Sequence, residues 1–254
     1  MKSLEVTLRE VRSQGRTALV PYFMAGLTDN WVETINALIE GGADAIEIGL
    51  PFSDPLMDGV VIQEAGTRAL ERGTTLDSVV EELAKHQFSV PLIVMTYYNV
   101  LLHEGLSSAA TKLKRAGISG AIIPDLTLEE SAEWKKACDE NDIATILMIA
   151  PSTSSDRAAT LVRSTEGFAY ASARMAVTGA ASDEGSGGKV VALIREHSDV
   201  PAFIGIGITT PEQAAQASQV ADGVIVGSAL VKLLLSGASH AEVTAFVASL
   251  RAAI

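Results

Sequence analysis

The chain has 254 residues and a formal net charge of −12. This balance argues against nucleic acid as a partner, because binding to a phosphate backbone needs a basic surface. The single cysteine, Cys138, excludes an internal disulfide framework. No apolar run approaches the roughly 20 residues of a membrane span, and the N-terminus lacks the apolar core and cleavage site of a signal peptide. We therefore expect a cytoplasmic protein.

Short apolar segments alternate with segments of helical periodicity along the chain. The apolar segments predict strands at residues 18–24, 45–50, 91–97, 120–124, 144–150, 167–173, 202–206 and 223–226. The periodic segments predict helices at residues 3–14, 30–39, 62–71, 76–85, 107–115, 129–141, 155–164, 187–197, 211–219, 228–235 and 241–253.

This alternation is typical of a parallel sheet with right-handed crossovers. Eight β/α units in about 250 residues are the count of a closed (β/α)8 TIM barrel. The sequence therefore predicts one such domain over residues 1–254, with an extra N-terminal helix and an extra C-terminal helix. A doubly wound open sheet is the alternative; it usually carries a Gly-rich fingerprint after its first strand, which Gly26-Leu27-Thr28 matches poorly.

One glutamate, Glu47, interrupts the second apolar segment. Because side chains alternate along a strand, Glu47 shares a face with the small residues Ala45 and Gly49, and this face is expected to line the barrel interior. Desolvation there would raise the pKa of the carboxyl group, which suits a general acid or base near neutral pH. A buried structural hydrogen-bond pair is the alternative interpretation.

The loop after this strand supplies two aspartates, Asp54 and Asp58, beside Ser53 and Pro55. The loops that follow barrel strands carry the active sites of such folds. In a Pro- and Gly-rich loop, however, aspartate most often stabilises a turn or caps a helix. Residue type alone leaves both readings open for Asp58.

Two glycine-rich stretches follow the seventh and eighth strands, at Gly205–Thr209 and at Val226–Ala229. Backbone N–H groups of these two loops hold the phosphate in phosphate-binding barrels. Neither stretch contains Lys or Arg, which fits binding by amides and allows an acidic protein to take an anionic substrate. The alternative is that the glycines only permit tight turns.

The remaining candidates carry weaker signals. The small, polar loop after the sixth strand, at residues 174–189, has the composition of a mobile lid or of a disordered surface loop. Tyr97 and Tyr170 lie near strand ends and are candidates for a pocket wall, and Asp125 is predicted to cap the helix that follows it. No metal-ligand motif is present, so no metal site is predicted.

Seven motifs occur in one order along nearly the whole chain: EIGLPFSDPLMDGVVIQ at residues 47–63, VPYFMAG at 20–26, MTYYN at 95–99, IIPDL at 122–126, VTGA at 177–180, GIGIT at 205–209 and GSALV at 227–231. Together they resemble the tryptophan synthase alpha subunit family. The motif at residues 47–63 is highly specific, whereas other phosphate-binding barrels share the glycine motifs.

The resemblance implies a lyase that cleaves indole-3-glycerol phosphate to indole and glyceraldehyde 3-phosphate, without metal or cofactor. Glu47 matches the family's general acid and base, and Asp58 matches the acid that holds the indole nitrogen. Thr178 matches a lid residue that bonds Asp58. Tyr170 matches a pocket tyrosine beside Glu47. The positions that match contacts to the indole are Tyr22, Met95, Tyr97 and Leu126. The positions that match contacts to the phosphate are Gly179, Gly205, Gly207, Gly227 and Ser228.

The resemblance also implies a partner, a pyridoxal-phosphate beta subunit that receives indole in an α2β2 assembly. Ser53, Asp54 and Pro55 lie in the loop that would face it. The pyridoxal phosphate would belong to the partner, and no cofactor is expected in this chain. Two alternatives remain: a stand-alone indole-releasing lyase, and a non-catalytic regulatory partner of a beta subunit.

Overall fold

The computed structural model describes residues 1–172, 186–205 and 207–254. Its strands are β1 (Ala18–Met24), β2 (Ile46–Gly49), β3 (Leu92–Met95), β4 (Ile118–Ile122), β5 (Ala144–Ile146), β6 (Met148–Ile149), β7 (Ala169–Ser172), β8 (Ala202–Gly205) and β9 (Gly223–Val226). Its helices are α1 (Ser3–Ser13), α2 (Trp31–Glu40), α3 (Val60–Glu71), α4 (Leu76–Leu83), α5 (Tyr98–Glu104), α6 (Leu106–Arg115), α7 (Ala132–Glu140), α8 (Ser155–Ser164), α9 (Ser186–His197), α10 (Pro211–Ser218), α11 (Ser228–Leu235) and α12 (His240–Arg251).

All strands pair in parallel, in the order β5-β4-β3-β2-β1-β9-β8-β7-β6. A single residue, Leu147, separates β5 from β6, and its carbonyl oxygen accepts a hydrogen bond from the N–H of Tyr170 at 3.0 Å. The segments β5 and β6 are therefore two halves of one barrel strand. The sheet closes through that strand, which confirms the predicted (β/α)8 barrel.

Several helices begin where short polar side chains cap them. Thr75 before α4, Thr210 before α10 and Ser239 before α12 each form a capping box with the third helical residue. Such boxes satisfy backbone N–H groups that have no partner inside the helix. Within the described residues, no helix is long and apolar enough to cross a membrane.

One helix, α5, is absent from the sequence-based prediction. Its first N–H, that of Tyr98, donates to the carboxylate of Asp125 at 2.9 Å. The capping group thus comes from the loop after β4, which no local pattern in the sequence indicates. The prediction that Asp125 caps the helix following it in the chain is therefore corrected: it caps α5.

Buried side chains form two clusters: a smaller one inside the barrel, and a larger one that lies mostly between the strands and the helices but also contains Tyr22. Ala45 belongs to the inner cluster, whereas Ile46, Ile48 and Leu50 belong to the outer one. This division follows the alternation of side chains along β2, and it confirms that the face of β2 that carries Glu47 points inward.

Helix α1 closes the amino-terminal end of the barrel. Leu4 and Leu8 are fully buried in the inner cluster with Val11. A Cβ atom built on Gly120 would lie 2.6 Å from a methyl carbon of Leu4. The absence of a side chain at position 120 in β4 thus makes room for Leu4. We call the side chains of Leu4, Leu8 and Val11, which fill this end of the barrel, the plug. Because the plug closes one end, the opposite end, where the strands finish, is the open one.

Replacing Leu4 by Ala is expected to lower the free energy of unfolding by about 3 kcal/mol, because a fully buried leucine leaves a cavity. Val6 lies on the same helix and is exposed, so Val6→Ala is a matched control, with a change of less than about 0.5 kcal/mol. Urea denaturation of the three proteins measures the difference. Equal stability of the Leu4 and Val6 variants would contradict the plug.

Candidate active site

Glu47 lies inside the barrel with its side chain only 2 % exposed. In the register of the sheet it stands between Tyr22 of β1 and Ile93 of β3. Among the described residues its Oε2 atom has no hydrogen-bond partner. Burial, and then the nearby charge of Asp58, raise the pKa of Glu47 from 4.5 to about 8. A carboxyl group in this state is protonated at neutral pH.

Asp58 lies in the loop between β2 and α3, at the open end of the barrel, and is 6 % exposed. Its N–H donates to the carbonyl oxygen of Pro55 at 3.2 Å. Its own carbonyl oxygen accepts from the Gln63 side chain at 2.9 Å. Burial raises the pKa of Asp58 to about 6, against a hydrogen bond from Tyr97 that lowers it. The group is therefore largely ionised at neutral pH, while Glu47 is not.

Tyr97 holds the loop and Asp58 together. Its hydroxyl oxygen accepts the N–H of Met57 at 3.0 Å, and the hydroxyl is hydrogen-bonded to the carboxylate of Asp58. The ring stacks on Phe52, with ring centroids 5.2 Å apart. One tyrosine thus fixes the loop and selects the charged form of Asp58.

Two further tyrosines lie beside the carboxyl groups. The rings of Tyr22 and Tyr170 are buried, and each hydroxyl lies over a glycine. A Cβ atom on Gly49 would be 2.2 Å from the Tyr22 hydroxyl oxygen, and one on Gly205 would be 1.9 Å from that of Tyr170. Burial raises the pKa of both hydroxyls; the charge of Asp58 and then that of Glu47 add to this for Tyr22, and the charge of Glu47 adds to it for Tyr170. Both tyrosines therefore belong to the environment of Glu47.

The structure does not bring Leu126 to this group. Leu126 packs against the outer cluster and lines a cavity of about 490 Å³ bordered by α7 and by the end of α8. Ile122, which is not among the predicted site residues, lies in the inner cluster and pairs in register with Met95. The alternation of side chains along β4 predicts that Ile122 faces inward, because Ile122 stands two residues after the inward-facing Gly120.

The glycines after β8 and β9 lie at the same end of the barrel. These two strands are neighbours, with Ile204 opposite Val224. Gly207 has a φ of +96°, a backbone conformation that glycine adopts readily. Ser228 begins α11, and no side chain caps that helix within the described residues. The first N–H groups of α11 are therefore available to an anion.

Two predicted contacts, Thr178 and Gly179, lie outside the described residues, as does most of the predicted lid at residues 174–189. Ser53 and Asp54 are exposed in the loop after β2, where the Ser53 hydroxyl donates to the Asp54 carboxylate at 2.6 Å; Pro55 is half-buried. The described part of the chain holds no group of three potential metal ligands.

The arrangement combines an acid and a base in one buried space. Glu47 can give a proton to a bound molecule at neutral pH and then take one back, whereas Asp58 can hold an N–H group and stabilise positive charge. Two carboxyl groups whose pKa values their surroundings drive apart are a mark of divided acid–base roles.

Comparison with known proteins gives one consistent match. A family model described as tryptophan synthase alpha chain matches residues 8–252. The tryptophan synthase alpha chain of Synechocystis sp. is 40 % identical over 245 residues, 93 % of this chain and 92 % of the relative. That of Geobacter sulfurreducens is also 40 % identical, over 100 % of this chain and 99 % of its own.

Solved structures agree with the sequence matches. A chain from a structure of Mycobacterium tuberculosis tryptophan synthase superposes with a TM-score of 0.93 at 36 % identity, covering 100 % of this chain and 98 % of that chain. A tryptophan synthase subunit alpha from Legionella pneumophila gives a TM-score of 0.89 at 30 % identity, with 100 % and 98 % covered.

Proposed function

Since this chain belongs to the tryptophan synthase alpha chain family, a family of lyases, we propose that Glu47 and Asp58 catalyse the retro-aldol cleavage of indole-3-glycerol phosphate to indole and glyceraldehyde 3-phosphate. The supporting observation is the pair itself. Two buried carboxyl groups interact at the open end of the barrel, with pKa values of about 8 and about 6. The reaction needs one protonated acid and one anion, and each group supplies one of these.

Glu47 begins as the acid and gives its proton to C3 of the indole ring, so that positive charge develops at the ring nitrogen. Asp58 accepts the ring N–H and stabilises that charge. Glu47, now a carboxylate, takes the proton of the hydroxyl on the carbon attached to C3. The oxygen electrons form the aldehyde, and the electron pair of the broken carbon–carbon bond returns to the ring. Glu47 ends protonated, as it began.

The remaining site residues bind and orient the substrate in this proposal. The side chains around the ring are Tyr22, Met95, Tyr97, Ile122 and Tyr170. The backbone N–H groups that hold the phosphate are those near Gly205, Gly207, Gly227 and Ser228. Gly179 as a phosphate contact and Thr178 as a lid contact to Asp58 complete the predicted set.

The proposed partner is a pyridoxal-phosphate beta subunit in an α2β2 assembly, and this chain itself needs no cofactor. The supporting observation is a group of exposed apolar side chains beside Ser53, Asp54 and Pro55. Leu56 is 85 % exposed in the loop that carries Asp58, and Val60, the first residue of α3, is 75 % exposed. We place the assembly in the cytoplasm.

Indole release from indole-3-glycerol phosphate tests the reaction directly. The purified chain is assayed alone and with a purified tryptophan synthase beta subunit. Indole formation in either case supports the proposed reaction, and its absence in both contradicts it. A rate that rises with the beta subunit supports the partner. Equal rates contradict that partner and favour the stand-alone lyase.

The pH dependence of kcat/KM is expected to be bell-shaped. Activity falls as the pH drops through about 6, because Asp58 takes up a proton, and falls as the pH rises through about 8, because Glu47 loses one. The profile of kcat/KM reports groups of the free enzyme, so steady-state rates from pH 5 to 9.5 measure both limbs.

Tyr97→Phe assigns the acidic limb. It removes the hydrogen bond that lowers the pKa of Asp58, so the acidic limb is expected to move upward, by about 1 pH unit, while the alkaline limb stays in place. Tyr98→Phe makes the same change at the neighbouring residue on α5 and is expected to leave both limbs unchanged. Movement of the alkaline limb alone in Tyr97→Phe would contradict the assignment.

A further inference from the structure

The hydroxyl of Tyr22 is a buried polar group that the reaction scheme above does not use. The residue is 4 % exposed, and within the described residues its hydroxyl has no hydrogen-bond partner. Leaving such a donor unpaired costs about 1–3 kcal/mol. An unpaired donor inside a binding site is therefore expected to find its partner on the bound molecule.

The location of the hydroxyl indicates which part of the substrate it meets. Tyr22 is the register neighbour of Glu47 on the adjacent strand. Its hydroxyl lies over Gly49, which stands on the inward face of β2 one step beyond Glu47, toward the open end. Within the described residues, the Oε2 atom of Glu47 also has no hydrogen-bond partner, like the hydroxyl of its neighbour Tyr22. A substrate oxygen that bonds Glu47 thus comes within reach of Tyr22.

The hydroxyl of Tyr97, which also lies near the carboxyl groups, already has hydrogen-bond partners within the protein. The Tyr97 hydroxyl accepts a hydrogen bond from the N–H of Met57 and donates one to the carboxylate of Asp58. Its single O–H is therefore not available to the substrate. Burial and the charges of Asp58 and Glu47 raise the pKa of Tyr22 far above the neutral range, which keeps its hydroxyl protonated and able to donate.

We propose that the Tyr22 hydroxyl donates a hydrogen bond to the substrate oxygen whose proton Glu47 removes, the oxygen that becomes the aldehyde. This assignment rests on the proposed function. As the O–H bond breaks and its proton passes to Glu47, negative charge grows on that oxygen until the carbon–oxygen double bond forms and the carbon–carbon bond breaks. A fixed donor at this point stabilises the transition state more than the bound substrate.

Tyr22→Phe tests the role, because it removes only the hydroxyl and keeps the ring. We expect kcat for indole release to fall by about 10- to 100-fold, with KM changed by less than about threefold. Tyr98→Phe is the matched control, with an unchanged kcat. Circular dichroism and thermal unfolding of both variants confirm that they fold.

A substrate analogue that lacks the side-chain hydroxyls but keeps the ring and the phosphate locates the contact. Its dissociation constant is expected to be equal for wild type and Tyr22→Phe. Weaker binding of this analogue to the variant than to wild type would mean that the Tyr22 hydroxyl contacts the ring or the phosphate, and it would overturn the proposal. So does an unchanged kcat, or a shifted alkaline limb with an unchanged maximal kcat. If the wild type releases no indole, the proposed function fails instead.

Discussion

Replacing Glu47 by Gln is expected to lower kcat for indole release by about 10³-fold, because positioned acid–base groups contribute about 10²- to 10⁴-fold. The amide has nearly the shape of the carboxyl group, so the site stays filled, but it can neither protonate C3 nor take the proton of the hydroxyl. KM is expected to change little, since the ring and phosphate contacts remain. Steady-state rates measure the effect on kcat, and the affinity for the substrate analogue that lacks the side-chain hydroxyls measures the effect on binding.

Stability separates this loss of activity from a loss of the fold. The pKa of Glu47 is about 8 in the folded protein, against 4.5 ordinarily. Between these values the folded state holds a proton that the unfolded state has released, so the glutamate destabilises the fold increasingly from pH 4.5 to 8 and by a constant amount above that. Glutamine does not titrate. The variant is expected to be more stable than wild type at pH 9, by roughly 2–4 kcal/mol, and nearly equal at pH 5.

The matched control is Glu64→Gln, which changes an exposed glutamate on α3. It is expected to retain wild-type kcat and to show no comparable gain in stability at pH 9. A Glu47→Gln protein with wild-type turnover would contradict the assigned role. An inactive variant that is less stable than wild type at every pH would instead point to a structural role for Glu47.

The sequence was sufficient to predict that the Glu47 side chain points into the barrel, because the pattern that indicates this orientation is local. A charge in the middle of an apolar strand, flanked on its own face by Ala45 and Gly49, has one inward orientation once the strand is assigned. Asp58 had no such signal. What buries it is the loop geometry set by Tyr97 and by the Gln63 side chain, and Tyr97 comes from the next strand unit. The motif resemblance, not the residue type, is what predicts a catalytic role for Asp58.

The missed helix has a clear cause, which is that its capping partner lies far along the chain. Helix α5 was missed because Asp125 caps it from another loop. Leu126 was assigned to the indole wall by motif position, and that assignment stays a prediction. Leu126 follows the end of β4, and Ile122 is the residue of that strand that lies in the inner cluster. The closed barrel was predictable because the β/α alternation extends along the whole chain.

Glycines of the barrel interior were read as turn or phosphate residues, and one of them has a further role that only packing reveals. Gly205 ends β8 opposite Ser172 in the register. A Cβ atom there would lie 1.9 Å from the hydroxyl oxygen of Tyr170 and 2.4 Å from the ring carbon that bears it. Real Cβ atoms do not approach so closely, so any side chain at position 205 must displace the tyrosine.

Gly205→Ala is therefore expected to destabilise the fold by about 1–3 kcal/mol, the usual result of overpacking. It is also expected to lower kcat by about 10²-fold, because the displaced ring disturbs the position of Glu47, and small misplacements have effects of that size. Gly66 in α3 is the matched control. The nearest atom to its Cβ would be a methyl carbon of Met24, 3.7 Å away, which is an ordinary contact distance, so Gly66→Ala is expected to leave stability and kcat nearly unchanged.

The Tyr170→Leu background shows whether the clash is the cause. Leucine removes the ring and the hydroxyl, so Gly205→Ala is expected to lose most of its effect on the free energy of unfolding there, and the two changes should be strongly non-additive. Additive effects would mean that Gly205 acts through its backbone conformation and not through the space it leaves. The φ of Gly205 is not in the positive range, so the backbone allows alanine and only the tyrosine opposes it.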